Sequence, residues 1–212
     1  INNASFTIMP ITVDKGYEGP QSSLNNFGDF CSIARISGYT ITNKIDAEKI
    51  IKNKLISKGF RIITVSQRLF NQEIIEPEQL VYSNDDLSVF QYEDGDMVTI
   101  VCFNFSFPQG YDLCKRLKKD KISTSLFNVN SPIETDWTEI IENVKNTKNL
   151  IVIDDSKSKN LACDLLITEI TTHNKLNKII ILKREMSEEW LNPNSEEMVI
   201  DYQKIRKQLP FN

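Results

Sequence analysis

Met97-Val-Thr-Ile-Val-Cys-Phe103 is a run without a charged residue, entered through the turn Glu93-Asp94-Gly95-Asp96. Two more such runs follow, Ser125-Leu-Phe-Asn-Val129 and Leu150-Ile-Val-Ile153, the latter ending in Asp154-Asp155. Between the first two, Pro108 opens a segment with Tyr111, Cys114 and Leu117 at helical spacing and a basic end from Lys115 to Lys121. Between the second and third, Asp136-Trp-Thr-Glu139 precedes Trp137, Ile140, Ile141 and Val144 on one helical face, with Asp136 as cap and Glu139 reaching back. Continuous apolar strands alternating with amphipathic helices must be buried on both faces. The pattern therefore specifies an α/β fold with a parallel sheet.

Outward from that stretch, composition narrows the function. With 212 residues, 40% hydrophobic and 25% charged, the chain suits one large domain or two small ones with a proper core. A net charge of −4 and a pI near 5.2 exclude a basic nucleic-acid face. No apolar run reaches the ~20 residues of a membrane helix. The N-terminus carries no signal-peptide pattern, and the start at Ile1 on Asn-Asn-Ala-Ser-Phe reads as that of a fragment or processed piece. Cys31, Cys102, Cys114 and Cys163 form no C-x-x-C pair, which favours reduced thiols and a cytoplasmic setting over zinc or disulfides.

In chain order, Phe6 to Val13 reads as a buried strand that stops at Asp14-Lys-Gly16. A long polar loop from Tyr17 to Gly28 follows, the kind of length that in compact domains marks function or disorder. Asp29 to Arg35 reads as a short helix and Tyr39 to Thr42 as a strand. Asp46 is placed to cap a helix bearing Ile50, Ile51 and Leu55, with Gly59 at its left-handed end. Arg61 to Val65 is a further buried strand leading into Ser66-Gln-Arg-Leu-Phe70. The acidic stretch with Pro77 and Asn84-Asp-Asp86 reads as a linker. After Asp155, Leu161, Leu165, Leu166 and Ile170 mark a helix, Lys178 to Leu182 a core strand, Met186 to Asn194 a loop, and Tyr202, Ile205 and Leu209 a terminal helix from about Asp201.

These strings resemble one family. Gly19-Pro20-Gln21-Ser22-Ser23 after a strand, with Ile36-Ser-Gly38 before Tyr39-Thr-Ile41, is similar to the G-P-(Q/T)-H segment of transketolase-like thiamine diphosphate enzymes. Asp46-Ala-Glu48 resembles the helix start that follows it. Ser66-Gln-Arg-Leu-Phe70 resembles the P-K-R-L-Y end of the pyrimidine-binding domain in the E1 β subunit of 2-oxoacid dehydrogenases. Gly95-Asp-Met-Val-Thr-Ile-Val101 resembles the opening of that family's C-terminal domain, and deoxyxylulose-phosphate synthase shares the same back half. Ile122 to Asp136, Leu150 to Asp155 and the tail from Glu196 also match in order, so the likeness spans nearly the whole chain.

The resemblance implies part of a pyrimidine-binding domain over 1–75, a linker over 76–95 and a transketolase C-terminal-like domain over 96–212. It implies a subunit or fragment of an enzyme that makes or cleaves a carbon–carbon bond next to a carbonyl. Thiamine diphosphate with magnesium would be the cofactor of the complete enzyme, and a homodimer or complementary chain its partner. The departures matter as much. Gln21, Ser22 and Ser23 stand where the family has a histidine, and the lone His173 lies far away. The family's cofactor-activating glutamate and diphosphate-binding domain have no counterpart here. The chain is therefore expected not to bind the cofactor alone.

Candidate residues keep two readings each. Gln21, Ser22 and Ser23 either line a substrate channel or form a surface turn. Arg68 either grips a substrate carboxylate or phosphate or pairs with Glu73 or Glu76. Asp154 and Asp155 sit where open α/β sheets bind ligands, or cap the next turn and helix. His173 reads as a residue at a helix end, where positive charge suits the dipole, and Trp137 and Trp190 as packing. No G-x-G-x-x-G or P-loop occurs. A non-catalytic α/β partner module that stabilises an assembly is the rival reading, and the substrate is not legible.

Overall fold

The computed structural model describes residues 4–14, 27–131, 133, 135–158, 161–184 and 198–211. Two sheets are present. In the first, β4 (Gly59–Ser66) is central, with β3 (Ser37–Ile41) parallel to it on one side. β1 (Ser5–Ile8) and β2 (Ile11–Thr12) also pair with it in parallel, at its start and end respectively. The single strand expected over Phe6 to Val13 is thus interrupted at Met9-Pro10, where proline has no N–H to give a ladder. Nor is it buried: Phe6 is 62% exposed and stacks on Phe60 with ring centroids 5.4 Å apart.

The second sheet has the order β10-β9-β7-β8-β6-β5. Strands β7 (Val98–Phe103), β8 (Thr124–Val129), β9 (Asn149–Asp154) and β10 (Lys178–Lys183) are mutually parallel. They are the runs whose apolar continuity predicts them, and β7, β8 and β9 are buried throughout. β6 (Val89–Glu93) and β5 (Tyr82–Ser83) extend the sheet antiparallel. This corrects the reading of 76–95 as a linker. Val89, Phe90 and Tyr92 are each about as buried as β8 beside them, and the acidic residues around them had masked that short strand.

Helices cover both faces. α3 (Phe107–Lys119) and α6 (Tyr202–Gln208) join α2 (Lys44–Lys54) and the first sheet in one continuous apolar core. α4 (Thr138–Thr147) and α5 (Cys163–His173) fill a second core on the opposite face. α1 (Phe27–Ala34) packs Phe27 and Cys31 on Ile62 of β4. Trp137 lies against Phe103 at 6.0 Å, as packing, while Trp190 falls outside the described residues.

The caps differ from expectation by a few residues. Asn43, not Asp46, is the N-cap of α2, and Asp46 is the returning member of the capping box. Asp136 stands one residue before the N-cap position of α4 and accepts from Thr138 N–H at 2.9 Å. Gly59 does take a positive φ of 99°, at the start of β4. Leu165 faces outward on α5, with Leu166 and Ile170 inside. Among the described residues no helix is long and apolar enough to cross a membrane.

Candidate functional site at the strand ends

Parallel sheets deliver the carboxyl ends of their strands to one side, and here both sheets deliver them to one cluster. Asp14 stands just past β2, and Ser66 ends β4 and caps a 3-10 turn over Gln67–Phe70. Asn104 and Phe105 follow β7, and Asp154 and Asp155 end β9. Chain reversal between β8 and β9 puts β7 and β9 side by side, the switch point at which open α/β sheets place ligands.

Arg68 is the hub. Its Nε donates to Asp14 Oδ2 at 2.8 Å and its Nη2 lies 2.7 Å from the same oxygen. The Nη2 also donates to the Phe105 carbonyl at 3.0 Å and reaches Asp155 Oδ2 at 3.5 Å. Asp14 accepts further from the Ser66 hydroxyl (2.7 Å) and the Gln67 N–H (3.1 Å). Asp155 accepts the Phe105 N–H at 3.0 Å, and Arg184 Nε donates to the Asp155 carbonyl at 2.7 Å. Asp154 accepts from Asn104 Nδ2 (2.7 Å), Ser156 N–H (3.0 Å) and Cys163 N–H (3.4 Å). All four of Asp14, Arg68, Asp154 and Asp155 are buried.

Burial pushes the Asp155 carboxyl up to about 6, against the pull of Arg68 and Arg184, and raises Asp154 in the same way. With charges alternating and donors facing each carboxylate, the cluster fixes geometry rather than offering an unengaged nucleophile. The one histidine cannot supply a base here. His173 ends α5, about 15 Å of helix away from the end that Asp154 caps.

The expected residues fall out as follows. Arg68 does not pair with Glu73 or Glu76 at the surface; Glu76 binds Lys44 at 2.7 Å instead. Asp154 and Asp155 are at the strand end, and Asp154 does meet the next turn and the start of α5. Gln21, Ser22 and Ser23 lie outside the described residues. Of the described residues before and after that stretch, Asp14 belongs to the cluster and Asp29 accepts the Ser158 hydroxyl. Asp14, Asn104 and Arg184 were not singled out in the sequence. Asp14 read only as a strand stop, and Asn104, with a left-handed φ of 57°, carries no motif.

No protein-family model matches the sequence, and no curated protein does. Solved structures do match, and they share the transketolase fold. A split-gene transketolase, described as an inactive β4 tetramer, superposes with a TM-score of 0.61 at 11% identity. That match covers 84% of this chain and 56% of the other. Transketolase from Campylobacter jejuni gives 0.60 at 11% identity over 85% of this chain, and a transketolase mutant from Pichia stipitis gives 0.54 at 10% over 85%. The chain thus spans about half of the split-gene chain but only 27% and 25% of the other two. At such identities the likeness establishes the fold, a mixed α/β architecture of the transketolase back portion.

Proposed function

We propose that this chain is the back part of a transketolase-type enzyme, acting with a complementary chain that supplies the cofactor-holding domain. The observation that carries the reading is the fold match to a split-gene transketolase chain across 84% of this one. The strand-end cluster supports it, because Arg68 gathers Asp14 and Asp155, from both sheets, at the carboxyl ends of the strands. In this reading Gln21, Ser22 and Ser23 face the substrate, and Arg68 is a positioning residue. An E1 β subunit is the second option within the same class. Four free, buried thiols suit a cytoplasmic setting.

Thiamine diphosphate and magnesium are what the fold family implies, and the described residues do not fit them. No group of three or more His, Cys, Asp or Glu side chains among the described residues is placed to hold a metal ion. The strand-end carboxylates are already engaged with Arg68, Asn104 and backbone N–H groups. The complete enzyme's cofactor would supply a stabilised carbanion next to a carbonyl, and this chain would supply orientation.

The test is titration calorimetry with thiamine diphosphate and magnesium. The chain alone should give no measurable heat of binding. Co-expressed with a chain bearing the missing domain, it should form a complex that binds. Micromolar binding by the chain alone, or failure of any such complex to form, overturns the reading.

A further inference from the structure

β10 is an outer strand of the second sheet and pairs only with β9. Its first N–H, on Lys178, donates to the Lys148 carbonyl at 3.3 Å. Alternate residues of a parallel strand serve alternate sides, so Ile180 and Leu182 also turn their backbone groups to β9. Ile179, Ile181 and Lys183 turn theirs to the open edge, where no partner stands among the described residues. Edge strands are usually blunted by charge, proline or a bulge. Here charge stands only at the two ends, Lys178 and Lys183, with Ile179-Ile-Ile-Leu182 between them.

Between that strand and the stretch 198–201 with α6 lies a groove of about 840 Å³. Ile181 and Val199 line it and are 43% and 89% exposed, so apolar surface stands open to water beside unpaired backbone groups. The charged side chains lining it are Lys183, Arg184, Asp201 and Lys204. Asp201 is engaged in capping α6, accepting the Lys204 N–H at 3.0 Å. Arg184 donates to the Asp155 carbonyl at 2.7 Å and the Asp14 carbonyl at 3.3 Å. Lys183 and Lys204 make no ion pair among the described residues. On a chain of net charge −4, this groove is locally positive.

We propose that the outer edge of β10 is a docking site for an extended acidic segment of another protein, which adds a strand to the second sheet and sets carboxylates against Lys183 and Lys204. Backbone pairing supplies affinity, and alternate side chains supply selectivity, the apolar ones meeting Ile181 and Val199 and the acidic ones the lysines. The six residues of β10 offer about 20 Å of edge to such a strand. A second copy of this chain is a poorer occupant. Two β10 edges in full antiparallel register set Lys178 of one opposite Lys183 of the other, and like charges directly opposite are destabilising. The site holds whether or not the chain is part of an enzyme.

Amide hydrogen exchange on the full chain, followed by NMR at several protein concentrations, tests it. Without a partner, Ile179 and Ile181 should exchange at least about tenfold faster than Ile180 and Leu182. The probe is an acetylated, amidated peptide of about seven residues, glutamate alternating with valine. At millimolar concentration it should slow those two amides about tenfold. Lys183→Glu with Lys204→Glu should weaken its binding at least about tenfold and confer binding of the same peptide built with lysine for glutamate. Both side chains are exposed, so the variant should keep the wild-type fold. Protection of Ile179 and Ile181 at every concentration would mean that the chain covers its own edge, and protection that grows with concentration that a second copy does. Either result overturns the proposal, as does an exchange pattern unmoved by the acidic peptide or equal binding of both peptides by the wild type.

Discussion

Arg68 holds two buried carboxylates with one planar guanidinium, a role the sequence could not disclose. Asp14 is 54 positions away and Asp155 is 87, and neither carries a motif. The sequence singled out Arg68 for its forked donors as a grip on a substrate anion or a pair with Glu73 or Glu76, and the structure instead gives it Asp14, the Phe105 carbonyl and Asp155. Removing the guanidinium leaves both acids buried with fewer donors, and unpaired buried charge is costly. Arg68→Met should therefore destabilise the fold by about 3–5 kcal/mol in urea unfolding, the loss typical of breaking a buried ion pair. Arg68→Lys, which keeps the charge but not the fork, should fall between it and the wild type. A loss under about 1 kcal/mol for Arg68→Met would mean that the cluster relaxes without its hub.

At the scale of elements, the helices show what periodicity can and cannot specify. The buried strands β7, β8 and β9 were legible because nothing but double-sided burial explains such runs. α2 was legible as a helix, but not that it ends in two buried ions. Asp46 sits in its first turn, where the helix dipole is positive. At the other end Arg61, on β4, donates to the Lys54 carbonyl at 2.9 Å and to Ser5 and Thr7 of β1. Exposed-looking polarity in sequence was buried polarity in three dimensions. Gly110 shows the converse. Inside α3 it reads as a weak helix former, yet a Cβ there would lie 2.1 Å from Cys102 Sγ on β7. The glycine lets helix and sheet approach closely. Gly110→Ala should gain about 1 kcal/mol in helix propensity and lose more to the clash, for a net loss of about 1–3 kcal/mol. The paired change Gly110→Ala with Cys102→Ala should recover much of it. Thermal unfolding of the single and double variants checks both statements.

Over the whole molecule, the second sheet is covered on both faces, by a core it shares with the first sheet and by a core of its own, while the far side of the first sheet keeps apolar residues exposed. Next to Phe6 and Phe60, the strands leave Ile8, Met9 and Ile11 exposed, and α1 presents Phe30 and Ile33 outward, the latter 85% exposed. The sequence reads Phe6 to Val13 as a buried strand, and the structure instead leaves Phe6, Ile8 and Ile11 exposed. Apolar groups gathered on one region of a sheet are what a lasting interface covers, at about 1,600 Å² for a typical one. Because the proposed function requires a partner chain, light scattering at low micromolar concentration should give at least twice the 24.4 kDa of one chain, or a complex when the complementary chain is present. Phe6→Ser with Phe60→Ser should lower that mass toward a single chain. Their rings are 62% and 42% exposed, so the fold should lose little, with far-ultraviolet circular dichroism unchanged. A single-chain mass for the wild type, with no partner captured by the complementary chain, would count against association through this sheet and against the composite enzyme together. A stable complex that survives both substitutions would move the interface elsewhere and leave the enzyme reading standing.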